Sequence, residues 1–227
     1  MFDNFLAFWK GKDFLGKILE DFNKMMEDTQ NMFNSVLAKL LESKEEPGLK
    51  DEIYSLDKKV NELEREIRKR IVEHLSLQPT VDVPACLLMM SVVKDAERIG
   101  DYCKNLYEVT ELLQKKLDMN KFKELFNEID KEIVDEFNKT KNAFKDSDEK
   151  LAGEVLNMEK AIVGRCDGIL KKLASSQLDT NEAVCFTLIA RYFKRITAHL
   201  ANIGSSVILP ISDLDFFDEK IRRKNEE

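Results

Sequence analysis

Residues 53–75 read IYSLDKKVNELEREIRKRIVEHL, and this stretch decides the fold class. Its apolar residues recur at steps of three or four, which places them on one face of an α-helix. Most of the remaining positions are charged, as expected for the solvent side of such a helix. The apolar stripe consists of Ile53, Leu56, Val60, Leu63, Ile67, Ile71 and Leu75. A helix of this kind needs partner helices that bury the stripe.

The rest of the chain shows the same pattern. Of 227 residues, 35% are charged, while Gly (8) and Pro (4) are too scarce for the many turns of a strand-rich fold. We therefore predict an all-α protein of six long antiparallel helices, with Gly11 and Gly16 as points where the start of the first helix breaks or bends. The predicted helices cover residues 4–42, 49–76, 82–117, 121–144, 149–175 and 180–208, and residues 43–48 (SKEEPG) form a loop.

The pattern of three long helices occurs twice, and the third helices of the two halves are related. Residues 94–106 (KDAERIGDYCKNL) align without a gap on residues 191–203 (RYFKRITAHLANI). Arg98, Ile99 and Asn105 meet identical residues in the second segment. We interpret the chain as a tandem pair of three-helix bundles, with a first bundle over residues 1–118, a second over 119–209, and a charged tail over 210–227.

Charge and hydropathy exclude several functions. The formal net charge is −7 and the sequence pI is about 5.2, which disfavours binding to nucleic acid because phosphate backbones are negatively charged. No apolar run approaches a membrane span, and the charged N-terminus does not resemble a signal peptide, so we expect a cytoplasmic protein. Four cysteines lie among apolar neighbours, with no Cys-x-x-Cys pair, which predicts buried reduced thiols: Cys86, Cys103, Cys166 and Cys185.

The densest polar feature lies in the third predicted helix. Glu97 and Asp101 are four residues apart and share one face of that helix. Asp57 and Asn61 form a matching pair beside the stripe of the second helix. If the two helices pack antiparallel, these four oxygen-bearing side chains converge into a site suited to Mg, Ca, Mn or oxidised iron. The alternative is a solvated acidic face balanced by nearby basic residues, which are Arg65, Arg98 and Lys94.

These residues also carry a family resemblance. Residues 96–101 (AERIGD), followed by Asn105 and Leu106, resemble the E-R-I-G-D-x-x-x-N-I signature of the PhoU family. Residues 78–81 (QPTV) are similar to the family's Q-P-V segment, and residues 57–64 (DKKVNELE) to its D-x-x-I-[DN]-x-L-E helix. The resemblance extends over roughly residues 20–208 and is strongest in the first half.

The resemblance implies a regulator and not an enzyme. PhoU proteins resemble adaptors that couple a phosphate transporter to a sensor histidine kinase, so that phosphate-starvation genes stay off when phosphate is plentiful. Acidic motifs of the family bind metal ions. By resemblance, Glu97, Asp101 and Asp57 become ligand candidates for iron or another divalent metal, while Asn61 occupies a position that is often acidic in the family.

The second repeat departs from the family pattern. Lys194 and Ala198 replace the two acidic positions of the motif. In the fifth helix Glu159 is kept, but Val163 replaces its partner. We therefore predict metal at the first repeat only. The remaining histidine of the motif, His199, is interpreted as a structural hydrogen-bonding residue.

Other functions remain as alternatives. A di-iron carboxylate enzyme needs Glu-x-x-His on two helices, but the residues three before His74 and His199 are both isoleucine. A structural scaffold of packed bundles without metal is consistent with the helical stripes. An aromatic N-terminal cluster is interpreted as packing on its own bundle, or as a contact to a partner, a second copy in a homodimer, or lipid headgroups: Phe2, Phe5, Leu6, Phe8, Trp9 and Phe14. Membrane association is expected only through a partner.

Overall fold

The computed structural model describes residues 13–42 and 47–214, and this part of the chain is all-α without a strand. It contains seven α-helices, followed by a short 3₁₀ turn at Ile211–Asp213. The helices are α1 (Asp13–Glu42), α2 (Leu49–Leu77), α3 (Val83–Leu112), α4 (Met119–Phe126), α5 (Ile129–Asp146), α6 (Glu149–Ala174) and α7 (Thr180–Ser205). The predicted fold class is confirmed, although one of the six predicted helices is divided into two.

Helices α1, α2 and α3 form the first bundle, and each packs antiparallel to the next. The apolar stripe of α2 is buried at Ile53, Val60, Ile67 and Ile71. The α1–α2 connection turns at Gly48, whose φ of 89° is readily adopted only by glycine. Pro84 lies in the first turn of α3, where its missing N–H is not needed.

The single helix predicted over residues 121–144 was wrong, because it is interrupted at Asn127 and Glu128. Both residues have left-handed backbone angles, with φ of 44° and 66°. Asn127 closes α4 by donating its backbone N–H to the Lys123 carbonyl at 3.0 Å. The short α4 thereby folds back so that Phe122 and Phe126 are both buried. No break occurs at Gly16, since α1 continues through this residue, and a bend there stays a prediction.

Helices α5, α6 and α7 form the second bundle, again antiparallel, with α4 packed beside it. Helix starts are fixed by aspartate caps, as at Asp148, whose carboxylate accepts from the Leu151 backbone N–H at 2.9 Å. Asp179 caps α7 in the same way through the N–H of Asn181. These caps satisfy backbone N–H groups in the first turns of α6 and α7.

The two bundles share one hydrophobic core. Helix α3 packs along α7, and α1 packs along α5. Aromatic rings cross this boundary, with Phe22 of α1 against Phe144 of α5 at 4.8 Å and Phe33 against Phe137 at 5.5 Å between centroids. The boundaries at residues 118 and 209 stay a prediction, because the bundles are not separated by a gap in the core.

The chain ends lie largely outside the described residues. This applies to the predicted helix start at residue 4, to Gly11, to the 43–46 part of the loop, to the tail beyond residue 214, and to five of the aromatic cluster: Phe2, Phe5, Leu6, Phe8 and Trp9. The sixth member, Phe14, packs on its own bundle and stacks on His74 at 4.0 Å between ring centroids. Within residues 13–42 and 47–214, no helix is both long and apolar enough to cross a bilayer.

Candidate functional site

The antiparallel packing of α2 on α3 brings the predicted carboxylates of the first bundle close together. Asp57 and Asp101 face each other across the two helices and are linked through a third residue, Lys104. Glu97 lies one turn before Asp101 on α3 and is half-buried. Asn61 lies one turn after Asp57 and is also partly buried, but its side chain makes no hydrogen bond to any residue in the described ranges.

Lys104 is the residue that the sequence analysis missed. Its ammonium donates to Asp57 Oδ2 at 2.9 Å and to Asp101 Oδ1 at 3.2 Å, so it lies between the two carboxylates. Burial lowers the pKa of Lys104, but the hydrogen bonds to both carboxylates outweigh that effect and the net pKa is raised. The available signal was its position three residues after Asp101, on the same face of α3.

Arg98 neutralises the outer side of the same cluster. Its Nη1 donates to Asp101 Oδ2 at 3.0 Å, and its Nε lies 3.5 Å from Glu97 Oε2. Burial and the neighbouring Asp101 charge raise the pKa of Glu97, although Arg98 works against the shift. Of the basic residues expected to balance this face, Arg98 forms the contact, while the cross-helix bridge comes from Lys104.

As arranged, this donor set does not fit a divalent cation. Within the described ranges no three Asp, Glu, His or Cys side chains are grouped so that they could hold a metal ion. A metal ion would need carboxylate oxygens at about 2.0–2.6 Å, and the space between Asp57 and Asp101 is occupied by an ammonium group. Metal binding at Asp57, Asn61, Glu97 and Asp101 therefore stays a prediction, and Lys104 competes with it directly.

Gly100, between the two acidic residues of α3, has a packing role. A Cβ at this position would point at Thr29 of α1 and Val60 of α2, with both nearest contacts at 3.6 Å. The glycine therefore lies where three helices of the bundle meet. Its side of α3 faces apolar atoms and not the carboxylate cluster.

In the second bundle the equivalent helix pair is joined by another lysine. Lys194, at the position aligned with Glu97, donates to Asp167 Oδ1 on α6 at 2.6 Å. Ala198 and Val163 offer no ligand atoms at the other motif positions. The core of this bundle instead holds Glu136, a fully buried carboxyl group that accepts a hydrogen bond from the Thr197 hydroxyl.

A second polar cluster lies on the seam between the bundles, where α3 meets α7. His199 Nδ1 lies 2.7 Å from Asp95 Oδ1, and Asn202 Nδ2 donates to the same oxygen at 2.9 Å. Arg195 donates to the Tyr102 hydroxyl at 3.0 Å and approaches His199 Nε2 at 3.4 Å. Because Asp95 accepts and Arg195 can only donate, the ring of His199 is satisfied as the Nδ1–H tautomer. The predicted structural role of His199 is confirmed.

The cysteines and His74 are packed against neighbouring side chains, and none of them shows a feature of a reactive group. All four cysteines are free and buried, as predicted. Burial raises the pKa of Cys86 to about 11 and that of Cys166 to about 12, so their thiols are not activated. His74 stacks on Phe14, and its Nε2 lies 3.4 Å from Asp82 at the start of α3.

Comparison with known proteins finds the same two-fold repeat. The model of the PhoU domain matches the chain twice, over residues 22–110 and 126–207. The phosphate-specific transport system accessory protein PhoU homolog 1 of Thermotoga maritima is 24% identical over 104 residues, which cover 44% of this chain and 44% of that protein. The aligned stretch is thus less than half the length of this curated relative.

Two solved structures share the fold. PhoU from Pseudomonas aeruginosa superposes with a TM-score of 0.73 at 20% identity, over 88% of this chain and 97% of that one. The phosphate transport system regulatory protein PhoU from Streptococcus pneumoniae gives a TM-score of 0.75 at 16% identity, over 85% and 92%. The two matched segments of the domain cover well over half of the sequence and contain both polar clusters described above, so the chain belongs to the PhoU family.

Proposed function

We propose that this protein is a regulatory adaptor that modulates phosphate uptake and phosphate-starvation signalling through contacts with other proteins. The proposed partners are a phosphate transporter, a sensor histidine kinase, or both, and the proposed location is the cytoplasm. The observation that carries the proposal is the double match to the PhoU domain. The names of the curated relative and of one solved neighbour, a transport system accessory protein and a regulatory protein, support it.

The chemistry of the described residues favours binding over turnover. His199 and Asp95 satisfy each other in a buried contact, which leaves neither free to transfer protons with a substrate. Lys104 is held by two carboxylates, and the Cys86 thiol is buried with a raised pKa. An adaptor requires none of these groups to be reactive.

Exposed apolar side chains offer a surface for such partners. They lie at the end of the molecule where α2 passes into α3, with Leu77 83% exposed, Val72 58% and Leu87 49%. Large apolar groups that stay in water in the isolated chain lose that unfavourable hydration when a partner covers them. We propose that this end of the first bundle contacts the transporter or the kinase.

A genetic experiment tests the proposal. The gene is deleted in the organism that carries it, and a phosphate-starvation reporter and uptake of radiolabelled phosphate are measured in phosphate-rich medium. We expect the reporter and the uptake to rise several-fold, and the wild-type gene to restore both. Crosslinking in the same cells, read by mass spectrometry, is expected to recover a phosphate transporter subunit or a sensor kinase.

A pair of variants locates the contact. Combined Leu77→Asp and Leu87→Asp substitutions should abolish complementation while leaving the helical circular dichroism unchanged. Val184→Asp is the matched control, because Val184 is 47% exposed but lies at the start of α7, near the opposite end of α3. An unaltered phosphate response in the deletion strain, with neither class of partner recovered, would instead favour a scaffold of helical bundles.

A further inference from the structure

The carboxylates of the first bundle already have a cation between them, and it belongs to the chain. Lys104 Nζ lies 2.9 Å from Asp57 Oδ2 on α2 and 3.2 Å from Asp101 Oδ1 on its own helix. Its side chain is only 21% exposed, and that of Asp57 13%, so the contact is shielded from solvent and is not a surface pair that exchanges freely. The ammonium therefore links α3 to α2 through the carboxylates that these two helices carry.

A divalent ion and this ammonium cannot occupy the cluster together. An ion bound to both aspartates would lie within about 2.6 Å of the two oxygens that the ammonium already contacts, so the two cations would overlap in space and repel each other. The second oxygen of Asp101 is taken by Arg98 at 3.0 Å. Each oxygen of Asp101 thus already accepts a hydrogen bond from a cation of the chain, which a metal ion would have to displace or share.

The second bundle also has a lysine between its second and third helices, but this lysine contacts a single aspartate. Lys194 lies on α7 at the position aligned with Glu97, and its ammonium donates to Asp167 on α6 at 2.6 Å. The helix pair α6–α7 corresponds to α2–α3 in the repeat. In both bundles, therefore, a lysine of the third helix bonds an aspartate of the second.

We propose that Lys104 is a resident cation that takes the place of a metal ion in the first bundle. The chain then keeps α2 and α3 together without a metal, whatever the availability of iron or manganese. This inference does not rest on the proposed partners, because it concerns only the contacts that hold α2 against α3.

Metal binding by variants of the full chain tests the proposal. Wild type, Lys104→Met and Lys104→Gln are compared by equilibrium dialysis against Mn²⁺ and by thermal unfolding in EDTA or in millimolar Mn²⁺. We expect the wild-type unfolding temperature to be the same in both buffers. Lys104→Met should unfold at a lower temperature in EDTA, regain stability with Mn²⁺, and bind Mn²⁺ at least tenfold more tightly than wild type. Lys104→Gln, which keeps a neutral donor, provides the same comparison should the methionine variant not fold.

Two further variants make the outcome decisive. Lys58→Met removes a lysine from the same helix pair whose side chain is 79% exposed, and it should behave as wild type. Adding Asp101→Asn to Lys104→Met should abolish the gain in Mn²⁺ affinity. Wild-type protein that binds Mn²⁺ in a way that Asp101→Asn abolishes would overturn the proposal, because the lysine would then yield to metal. Failure of both Lys104 variants to bind Mn²⁺ would overturn it equally, because the lysine would not be what keeps metal out.

Discussion

The fully buried Glu136 of the second bundle should make stability depend on pH, and replacing it with glutamine should remove that dependence. Its Oε2 accepts from the Thr197 hydroxyl, while its Oε1 is buried without a hydrogen-bond partner in the structure described. Burial raises the pKa of Glu136 well above its ordinary value, the Thr197 bond opposes the shift, and the charges of Glu159 and Glu132 add to it. The side chain is therefore protonated in the folded protein where it would be ionised in the unfolded chain.

The sign and size of the effect follow from linkage. A carboxyl group with a raised folded pKa stabilises the protein fully below its unfolded pKa, about 4.3, and this contribution is lost as the pH rises toward the folded pKa. Over that window the unfolding free energy of wild type falls by about 1.4 kcal/mol per pH unit relative to a variant that cannot ionise. Glu136→Gln keeps an oxygen that accepts from Thr197. Its amide group adds a cost of about 1–3 kcal/mol if it stays unpaired, but that cost does not change with pH.

Urea unfolding of wild type and Glu136→Gln from pH 5 to pH 8 measures the difference directly. The free-energy difference between variant and wild type should grow with pH in favour of the variant, and then level off above the folded pKa. Glu124→Gln, at an exposed position of α4, is the control and should differ from wild type by less than about 0.5 kcal/mol at every pH. A flat difference for Glu136→Gln would refute the reasoning, because it would mean that Glu136 is ionised in the folded protein.

Two other predictions concern packing. His199→Leu removes one of the two donors to the buried Asp95 carboxylate and should lower the unfolding free energy by about 1–3 kcal/mol in urea titrations, and a loss below about 0.5 kcal/mol would contradict that role. Gly204→Ala places a Cβ 3.1 Å from Val155 Cγ1 and should lower the thermal unfolding temperature, whereas Gly100→Ala meets only ordinary contacts at 3.6 Å and should be neutral or stabilising by up to about 1 kcal/mol. Equal effects of the two glycine substitutions would show that these distances do not decide the outcome.

Hydrophobic periodicity was sufficient for the long helices and insufficient for the break at Asn127. Leu125, Ile129, Ile133 and Phe137 recur at steps of four, a pattern that fits one continuous helix. The chain is nonetheless interrupted within that pattern, and next to the break Phe126 meets the rings of Phe186 and Phe193 on α7. These contacts join helices some sixty residues apart, and a local pattern carries no record of them.

The candidate site was predictable in its residues and not in its chemistry. Spacing placed Asp57 and Asp101 on facing sides of two helices, and the structure brings them to the same cluster. The sequence did not show that the cation between these two aspartates is a lysine of the chain, because this depends on the direction in which the flexible Lys104 side chain extends. Lys104 lies on the same helical face as Asp101, so a contact was foreseeable, but its simultaneous reach to Asp57 depends on how closely α2 packs against α3.

The divergence of the second repeat follows a physical pattern. Thr197 stands where the first repeat has Gly100, and its hydroxyl donates to the buried Glu136. His199 stands where the first repeat has Tyr102, and these two equivalent rings stack across the seam at 5.6 Å between centroids. Thr197, which replaces the motif glycine, thus makes a contact that holds the second bundle together, while the retained His199 joins that bundle to the first. Loss of a motif residue at position 197 is therefore no sign of a weakened structure, because the substituted side chain forms a buried hydrogen bond.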